Sequence, residues 1–404
     1  MRHRNPTIDG ASRDVAGRRR VFQTPAAVKP EAVKALSTLD KRGLTDALKA
    51  QARQLGFQLV GVAPAVAMPS YQRLVQWVQQ GCCGPLHYFP ARLAAYRHPQ
   101  HLLPGVRSIL MLGLGYRTVE PAPPGPGQGT VARYAWGADY HRVIRARLRR
   151  LADFHRRMLP GASVRGVVDT APLAEKVFGW LAGLGRIGRN TTLINDQHGS
   201  WFFLAALLTS AELEYDVPQQ GDPCGGCRAC IEACPTGALV EPYMLDARSC
   251  LSCLTIEQRG PIPLPLREKL GWRVFGCDTC QEVCPWNKTA ACSAEAAFRP
   301  LPGNNPLELK ELLTLTEAAF ADRFRQTVLL RAGRSGLLRN AAIVLGNQAA
   351  EDALPLLQLA ADDPERIVAE AAQWAVGVLK TTGRTGAHPV QASSGTQNSA
   401  DRTD

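Results

Sequence analysis

Apolar residues recur at helical spacing from Thr45, at Leu48, Ala52 and Leu55, until Gly56 breaks the pattern. Gln58 to Ala63 then predicts a strand, and Pro69 to Gln80 a helix closed by Gly81. Val106 to Tyr116 is an apolar strand, and Pro121 to Thr130 a Pro/Gly loop. Tyr140 to Met158 reads as a long helix whose stripe is Ile144, Leu148, Leu151 and Phe154, with arginines elsewhere. A short strand, Ser163 to Val168, ends at Asp169; Leu173 to Ala182 is helical and Ser200 to Leu208 a buried strand. Strands alternating with helices predict an α/β layered structure. From Gly336 the texture changes. Leu338 to Gly346, Ala353 to Ala361 and Ile367 to Lys380 predict three Ala/Leu helices, broken by Gly-Asn and Asp-Asp-Pro, in the manner of a short HEAT-like α-solenoid. Residues 1 to about 40 are polar and basic, and 381–404 are rich in Thr, Ser, Gly and Asn, so both ends are expected to be disordered.

The chain has 404 residues, 45% hydrophobic and 20% charged, long enough for large cores without disulfides. Its longest apolar stretch, Trp201 to Leu208, falls far short of the ~20 residues of a membrane helix. Arg18-Arg19-Arg20-Val21-Phe22 faintly resembles a twin-arginine signal, but no apolar region follows, so export is not expected.

Ten of the twelve cysteines lie between Cys224 and Cys292, which points to metal binding in a reducing compartment rather than a disulfide scaffold. Cys224, Cys227, Cys230, Cys234 and Pro235 have the spacing C-x2-C-x2-C-x3-C-P, the bacterial ferredoxin run of a [4Fe–4S] cluster. Cys277, Cys280, Cys284 and Pro285 form a second run that lacks one cysteine, which Cys250 or Cys253 can supply. In two-cluster ferredoxins the fourth cysteine of a run serves the other cluster. The assignment is therefore crossed: Cys224, Cys227, Cys230 and Cys284 for one cluster, and Cys234, Cys277 and Cys280 with the supplied cysteine for the other. Two zinc sites are the alternative, but structural zinc uses separated pairs rather than a packed run of four. The cysteines left over, Cys82, Cys83 and Cys292 among them, read as small apolar residues or surface thiols.

Net charge is +12, and it is localised. Residues 131–165 hold nine arginines against two aspartates, and residues 1–50 hold eleven Lys/Arg against five acids. With Arg331, Arg334 and Arg339 in the helical region, this basic surface points to nucleic acid. Gly183, Gly185 and Gly188 fit G-x-G-x-x-G, yet they follow a helix and no acidic residue stands ~20 positions on, so they are no dinucleotide fingerprint. They read as a close backbone approach to another ligand.

Several segments in fixed order resemble one family, the epoxyqueuosine reductases, from about residue 45 to 380. They are Arg133 to His141, Val168-Asp169-Thr170-Ala171-Pro172-Leu173-Ala174-Glu175, Ala182 to Asn190, the first cysteine run with Thr236-Gly237-Ala238, Leu254-Thr255-Ile256-Glu257 and Gly276 to Gln281. The resemblance implies an enzyme that uses cobalamin and two [4Fe–4S] clusters to reduce epoxyqueuosine to queuosine at the wobble position of tRNA. It implies an α+β chain with a cobalamin-binding α/β domain over 41–215, a ferredoxin-like domain over 216–300 and HEAT-like helices over 301–380. It selects Cys250 over Cys253 as the eighth ligand. It makes Asp169 the proton donor, with a pKa raised by burial against the corrin. Arg92, Gly188, Asn190, Ser252 and Asp278 would join Asp169 around the cobalamin, and Arg133, Tyr134, Arg142, Arg145 and Arg149 would meet the anticodon loop. A low-potential donor such as flavodoxin or ferredoxin, a cytoplasmic location and a monomer are the further expectations. Departures from the family pattern are Cys253 in place of an aromatic, Arg186 in place of Trp or another bulky residue, and the Cys82-Cys83 pair. A reductive dehalogenase-like corrinoid protein, a non-catalytic electron carrier and an RNA-binding iron–sulfur protein are the competing readings.

Overall fold

A computed structural model describes residues 40–385; the expected disordered ends lie outside the described residues, except that 381–385 continue the last helix. The chain opens with α1 (Lys41–Gln54), β1 (Leu59–Pro64), α2 (Tyr71–Gln79) and β2 (Ser108–Gly115). Then come β3 (Gln128–Val131), α3 (Tyr140–Met158), β4 (Val164–Val167), α4 (Glu175–Leu181), the hairpin β5 (Arg186–Ile187) and β6 (Leu193–Ile194), and β7 (Phe202–Thr209). Every residue of β2 is buried, so this strand needs cover on both faces. One face presents Ile109 and Met111, with Ala206 and Leu208 of β7, to Phe178 and Ala182 of α4. The other is covered by α1 and α3. Leu48, Ala52, Ile144 and Leu151 are buried there, and a Cβ at Gly166 would meet Leu148 at 3.1 Å.

The sheet order is β1-β2-β7-β4, and every pair is antiparallel. This corrects the α/β expectation to α+β. Alternation along the chain predicted the layers but not strand direction. Parallel neighbours require successive same-handed crossovers, whereas here β7 inserts between β2 and β4. β4 is left at the sheet edge.

α3 has the bounds that the apolar stripe predicted, because Asp139 caps it by accepting from the His141 N–H at 2.9 Å. The predicted Pro/Gly loop instead ends in β3. That strand pairs in parallel with β10 (Arg273–Phe275) of the cysteine segment and antiparallel with β11 (Leu307–Glu308). Neither partner is near β3 in sequence, so no local signal announces it.

The cysteine segment holds the hairpin β8 (Leu239–Glu241) and β9 (Met244–Leu245), then α5 (Leu251–Ile256). Beyond it, α6 (Gly333–Asn347) is buried without a break from Gly336 to Gly346; α8 (Arg366–Thr385) packs against it, and α7 (Leu354–Ala360) packs against α8. Arg339, only 1% exposed, donates to the carbonyls of Gln258, Gly260 and Leu254, while Asn340 donates to those of Thr255 and Val274. These side chains stitch α6 to the cysteine segment. Arg339 is therefore no phosphate contact, and Arg334 pairs with the shielded Asp363 at 2.8 Å. Of the three basic residues assigned to this region, Arg331 alone among them reaches the candidate site. Among the described residues no helix is long and apolar enough to cross a membrane.

Candidate functional site

Asp169 follows β4 with φ at 57°, a left-handed conformation that a non-glycine residue holds at a cost of about 1 kcal/mol or more. Its backbone N–H donates to Glu175 Oε1 at 2.8 Å, which ties the turn to the start of α4. Its Oδ2 meets His141 Nε2 and Arg331 Nη1, each at 2.9 Å. The other ring nitrogen, His141 Nδ1, lies 2.8 Å from Asp139 Oδ1. With both carboxylates ionised, only the imidazolium form can donate from both nitrogens, so the arrangement favours a cationic His141. Burial opposes that charge, but the two carboxylates win and raise its pKa. Arg331 Nη2 also reaches Glu257 Oε1 at 3.3 Å.

In the chain alone the pKa of Asp169 lies in the other direction from that expected with the corrin bound. Burial does push it up, yet the hydrogen bonds and charges of His141 and Arg331 prevail and hold it well below the usual carboxylate range. The neighbouring acid is displaced the other way: burial pushes Glu175 up to about 8, opposed by its bond from the Asp169 N–H. Two carboxyls one turn apart are thus driven in opposite directions, the pattern of a proton-handling site.

Around this centre, Tyr134 feels Arg331, Asp169, Glu257 and Asp278 together, and burial raises its phenol pKa beyond the ordinary range. Asp278 accepts from the Arg133 N–H at 2.7 Å and burial pushes it up to about 7. Lys176 donates to the Thr191 carbonyl at 2.9 Å and remains solvent-accessible, yet burial lowers its pKa. The charges that act on it besides burial are those of Cys280, Cys250 and Glu175, which places Lys176 near both the cysteines and the start of α4.

The cysteine thiols sort into two groups. Cys230 is raised by burial and then by Cys224, Cys284 and Cys227; Cys250 by burial, then by Cys277 and Cys234. Cys280 is raised by burial, then by Cys277, Cys250, Asp278 and Cys230, so the two groups adjoin. Backbone amides also point at sulfur: Arg189 N–H lies 3.4 Å from Cys224 Sγ. Against its own burial, Cys234 is lowered by amides of Thr236, Leu239 and Ala238. All twelve cysteines are free of disulfides. Among the described residues no three His, Cys, Asp or Glu side chains gather around a single-ion site. A cubane does not ask for that, since it spreads its thiolates over separate irons.

Other predicted residues have internal uses. A Cβ at Gly185 or Gly188 would collide with Ile194, and one at Gly183 would lie 2.8 Å from the Val217 carbonyl. These glycines therefore let the β5–β6 hairpin close on the protein itself. The amide of Asn190 donates to the Cys280 carbonyl at 3.2 Å and accepts from Thr192 at 2.7 Å. Ser252 stands in the first turn of α5, beside Cys250. Arg92 donates to the Thr170 carbonyl at 3.1 Å, on the far side of the Asp169 turn.

Arg133 is corrected outright. It is 7% exposed, donates to the Val119 carbonyl, pairs with Glu120 at 3.1 Å and lies over the rings of Trp136 and Trp201. Tyr134 sits among Tyr140, Phe203 and Phe275 rather than on the surface. Arg142, Arg145 and Arg149 remain exposed along α3. Arg133→Ala is expected to destabilise the fold by about 1–2 kcal/mol through lost packing and cation–π contact. It should leave the salt dependence of RNA binding unchanged, by thermal melts and titrations at several salt concentrations. A reduced salt slope would return Arg133 to the interface.

His141, Glu175, Glu257 and Arg331 are site residues that sequence reasoning missed as such. His141, Glu175 and Glu257 stood inside quoted motifs, so motif membership was the available signal. Nothing in the sequence connects Arg331 to Asp169.

An antiparallel α+β layer packed with a ferredoxin-like cysteine segment defines an iron–sulfur protein with two clusters. Residues 223–287 match a family model described as a 4Fe-4S double cluster binding domain, and residues 97–170 one described as Epoxyqueuosine reductase QueG. An epoxyqueuosine reductase of Pseudomonas aeruginosa is 38% identical over 84% of this chain and 96% of its own length. One of Escherichia coli is 36% identical over 76% and 82%. A solved epoxyqueuosine reductase with an epoxyqueuosine-modified tRNA-Tyr stem loop superposes with a TM-score of 0.79 at 32% identity, covering 83% of this chain and 90% of the other. The Bacillus subtilis enzyme, solved with its catalytic loop swung out of the active site, gives 0.78 at 31%, covering 83% and 90%. The chain belongs to the epoxyqueuosine reductase family.

Proposed function

We propose that the chain reduces epoxyqueuosine to queuosine at the wobble position of tRNA, the last step of queuosine biosynthesis. The observation that carries this is the Asp169–His141–Arg331 cluster, in a chain whose cysteine segment matches a double-cluster domain. In this reading Cys224, Cys227, Cys230 and Cys284 hold one cluster, and Cys234, Cys250, Cys277 and Cys280 the other. Residues 41–215 take cofactor and substrate, 216–300 the clusters, and 301–380 form HEAT-like helices that buttress them. A low-potential protein such as flavodoxin or ferredoxin supplies electrons.

Cobalamin fits beside the Asp169–His141–Arg331 cluster, where burial shifts Lys176 and Asp278 and Ser252 stands next to Cys250; when bound, it would supply the electrons that open the epoxide. The chain's own residues manage the proton. Reduction of the epoxide to the alkene consumes two electrons and two protons and releases the oxygen as water: His141 holds one proton at Nε2 and Asp169 Oδ2 passes it to that oxygen, and solvent supplies the second. Substrate that excludes water and draws Arg331 away removes what holds the Asp169 pKa down, so the carboxyl gains its proton in the closed site. Arg142, Arg145 and Arg149 on α3 offer the RNA backbone a basic face.

The test is nucleoside mass spectrometry of tRNA from a deletion strain complemented with this chain. Restored queuosine supports the reading, and persistent epoxyqueuosine defeats it. His141 gives a pH prediction. Its raised pKa means the pair with Asp169 is complete below the ordinary value of 6.5 and is lost as pH rises through the higher folded value. His141→Asn should lower kcat about 10²-fold and remove that basic limb, with KM kept. A pH–rate profile identical to that of the unsubstituted enzyme would refute the proton-store role.

A further inference from the structure

Arg189 stands in the turn between β5 and β6 and meets the first cysteine run. Its backbone N–H lies 3.4 Å from Cys224 Sγ. Its Nη1 donates to the Cys227 carbonyl at 2.9 Å, and its Nη2 to the Gly225 carbonyl. Asp222 faces the same guanidinium, with Oδ2 3.7 Å from Nη2. That carboxylate also accepts from the Cys224 N–H and from the Tyr243 hydroxyl, each at 2.8 Å. The Tyr243 N–H in turn donates to the Arg189 carbonyl at 3.1 Å. Backbone and side chain of one arginine therefore hold both ends of the Cys224-Gly225-Gly226-Cys227 turn. The next residue, Asn190, donates to the Cys280 carbonyl, so the β5–β6 turn touches the cysteine segment at two places. One donor of Arg189 has no use within the chain. Its Nε is buried and has no hydrogen-bond partner among the described residues. A buried N–H without an acceptor is costly, so an acceptor that the chain does not itself supply is expected there.

We infer that Arg189 sets the reduction potential of the cluster held by Cys224, Cys227, Cys230 and Cys284, with its Nε–H as a donor to cluster sulfur and its guanidinium as the nearest positive charge. This rests on the two-cluster reading above and concerns how one of the clusters is adjusted. Sulfur is the acceptor that the surroundings offer. The backbone N–H of the same residue already meets Cys224 Sγ, and Nη1 and Nη2 are taken by carbonyls of the ligand turn. Hydrogen bonds to sulfur and net charge are among the levers that set such potentials. The cluster gains one negative charge when it takes an electron from the low-potential carrier. A guanidinium enclosed by protein stabilises that added charge more than it stabilises the oxidised form, because electrostatic interactions strengthen away from water. The Arg189 side chain is only 17% exposed, so this condition holds. Arg189 therefore raises the potential, and the Asp222 carboxylate beside the same turn lowers it. The two residues act as opposed adjustments on one cluster.

The test is an anaerobic redox titration of the reconstituted full chain, read by electron paramagnetic resonance of the reduced clusters. The signal that disappears in Cys284→Ser identifies the cluster in question. Arg189→Gln is expected to shift its reduction equilibrium about tenfold toward the oxidised form, about 59 mV for a one-electron couple. Iron content and the midpoint of the other cluster should stay as they are. Arg189→Lys, which keeps the charge, should recover most of the shift. Asp222→Asn can still accept from the Cys224 N–H through its amide oxygen, and should move the midpoint in the opposite direction. Residues that only braced the turn would not give opposite signs. If Arg189→Gln fails to hold the cluster, Asp222→Asn decides: a raised midpoint supports the inference and an unmoved one overturns it. Midpoints unmoved in both variants, or moved in the same direction in both, overturn it as well. The reductase reading fails separately, through a chain that holds both clusters and leaves epoxyqueuosine unreduced, because the midpoints are read without turnover.

Discussion

Asp169→Asn is expected to leave both clusters and cobalamin bound while lowering turnover at least about 10³-fold. The substitution isolates chemistry from folding. Asn is among the few non-glycine residues that tolerate a left-handed backbone, so the φ of 57° adds little strain. Its carbonyl oxygen can still accept from His141 and Arg331, which keeps the geometry of the turn. What disappears is the negative charge and the ability to carry a proton. Without that charge one of the two carboxylates that raise His141 is gone, so the imidazolium loses part of its support. Single-turnover assays read by nucleoside mass spectrometry, beside absorbance spectra of clusters and cobalamin, check the outcome. Near-normal turnover in this variant would sink the role assigned to Asp169. Asp169→Ala is a poorer test, because it places a Cβ in the same strained conformation without the local tolerance of Asn.

The second large effect concerns how the cysteines are shared. Cys284→Ser is expected to remove one cluster and leave the other, taking iron from about eight to about four per chain. The crossed arrangement is tested by pairs. Cys224→Ser combined with Cys284→Ser should lose no more iron than either alone, because both serve one cluster. Cys277→Ser combined with Cys284→Ser should lose nearly all of it. An uncrossed arrangement gives the reverse, with Cys277 and Cys284 acting as one unit. The thiol neighbourhoods already favour the crossed form, since Cys284 feels Cys224 and Cys227, whereas Cys250 feels Cys277 and Cys234.

Legibility differed between elements for physical reasons. β2 and α3 were plain in the sequence because each carries its own signal: an apolar run, or an apolar stripe opened by a capping Asp. β3 and β11 were invisible because a strand of two to four residues is made by its partners. Charge misled where burial decided. Arg133 and Arg339 looked like parts of a basic surface, yet their guanidiniums are enclosed by carbonyls and rings. Asp169 was identified from its motif, but its ionisation in the chain alone was not legible. Burial was foreseen, and the two cations that override it were not.

The amino-acid sequence by itself determined the cluster chemistry, because a run of cysteines at fixed short spacing encodes its own geometry. It also determined the main layers, through periods that any chain of that pattern must bury. Strand direction, the state of Asp169 and the setting of Arg189 were decided by the tertiary structure. Each depends on groups far apart in sequence, such as His141 and Arg331 on one carboxylate or Asp222 and Cys227 on one guanidinium. Electrostatic energy follows distance in space and enclosure by protein, and neither quantity is carried by spacing along the chain.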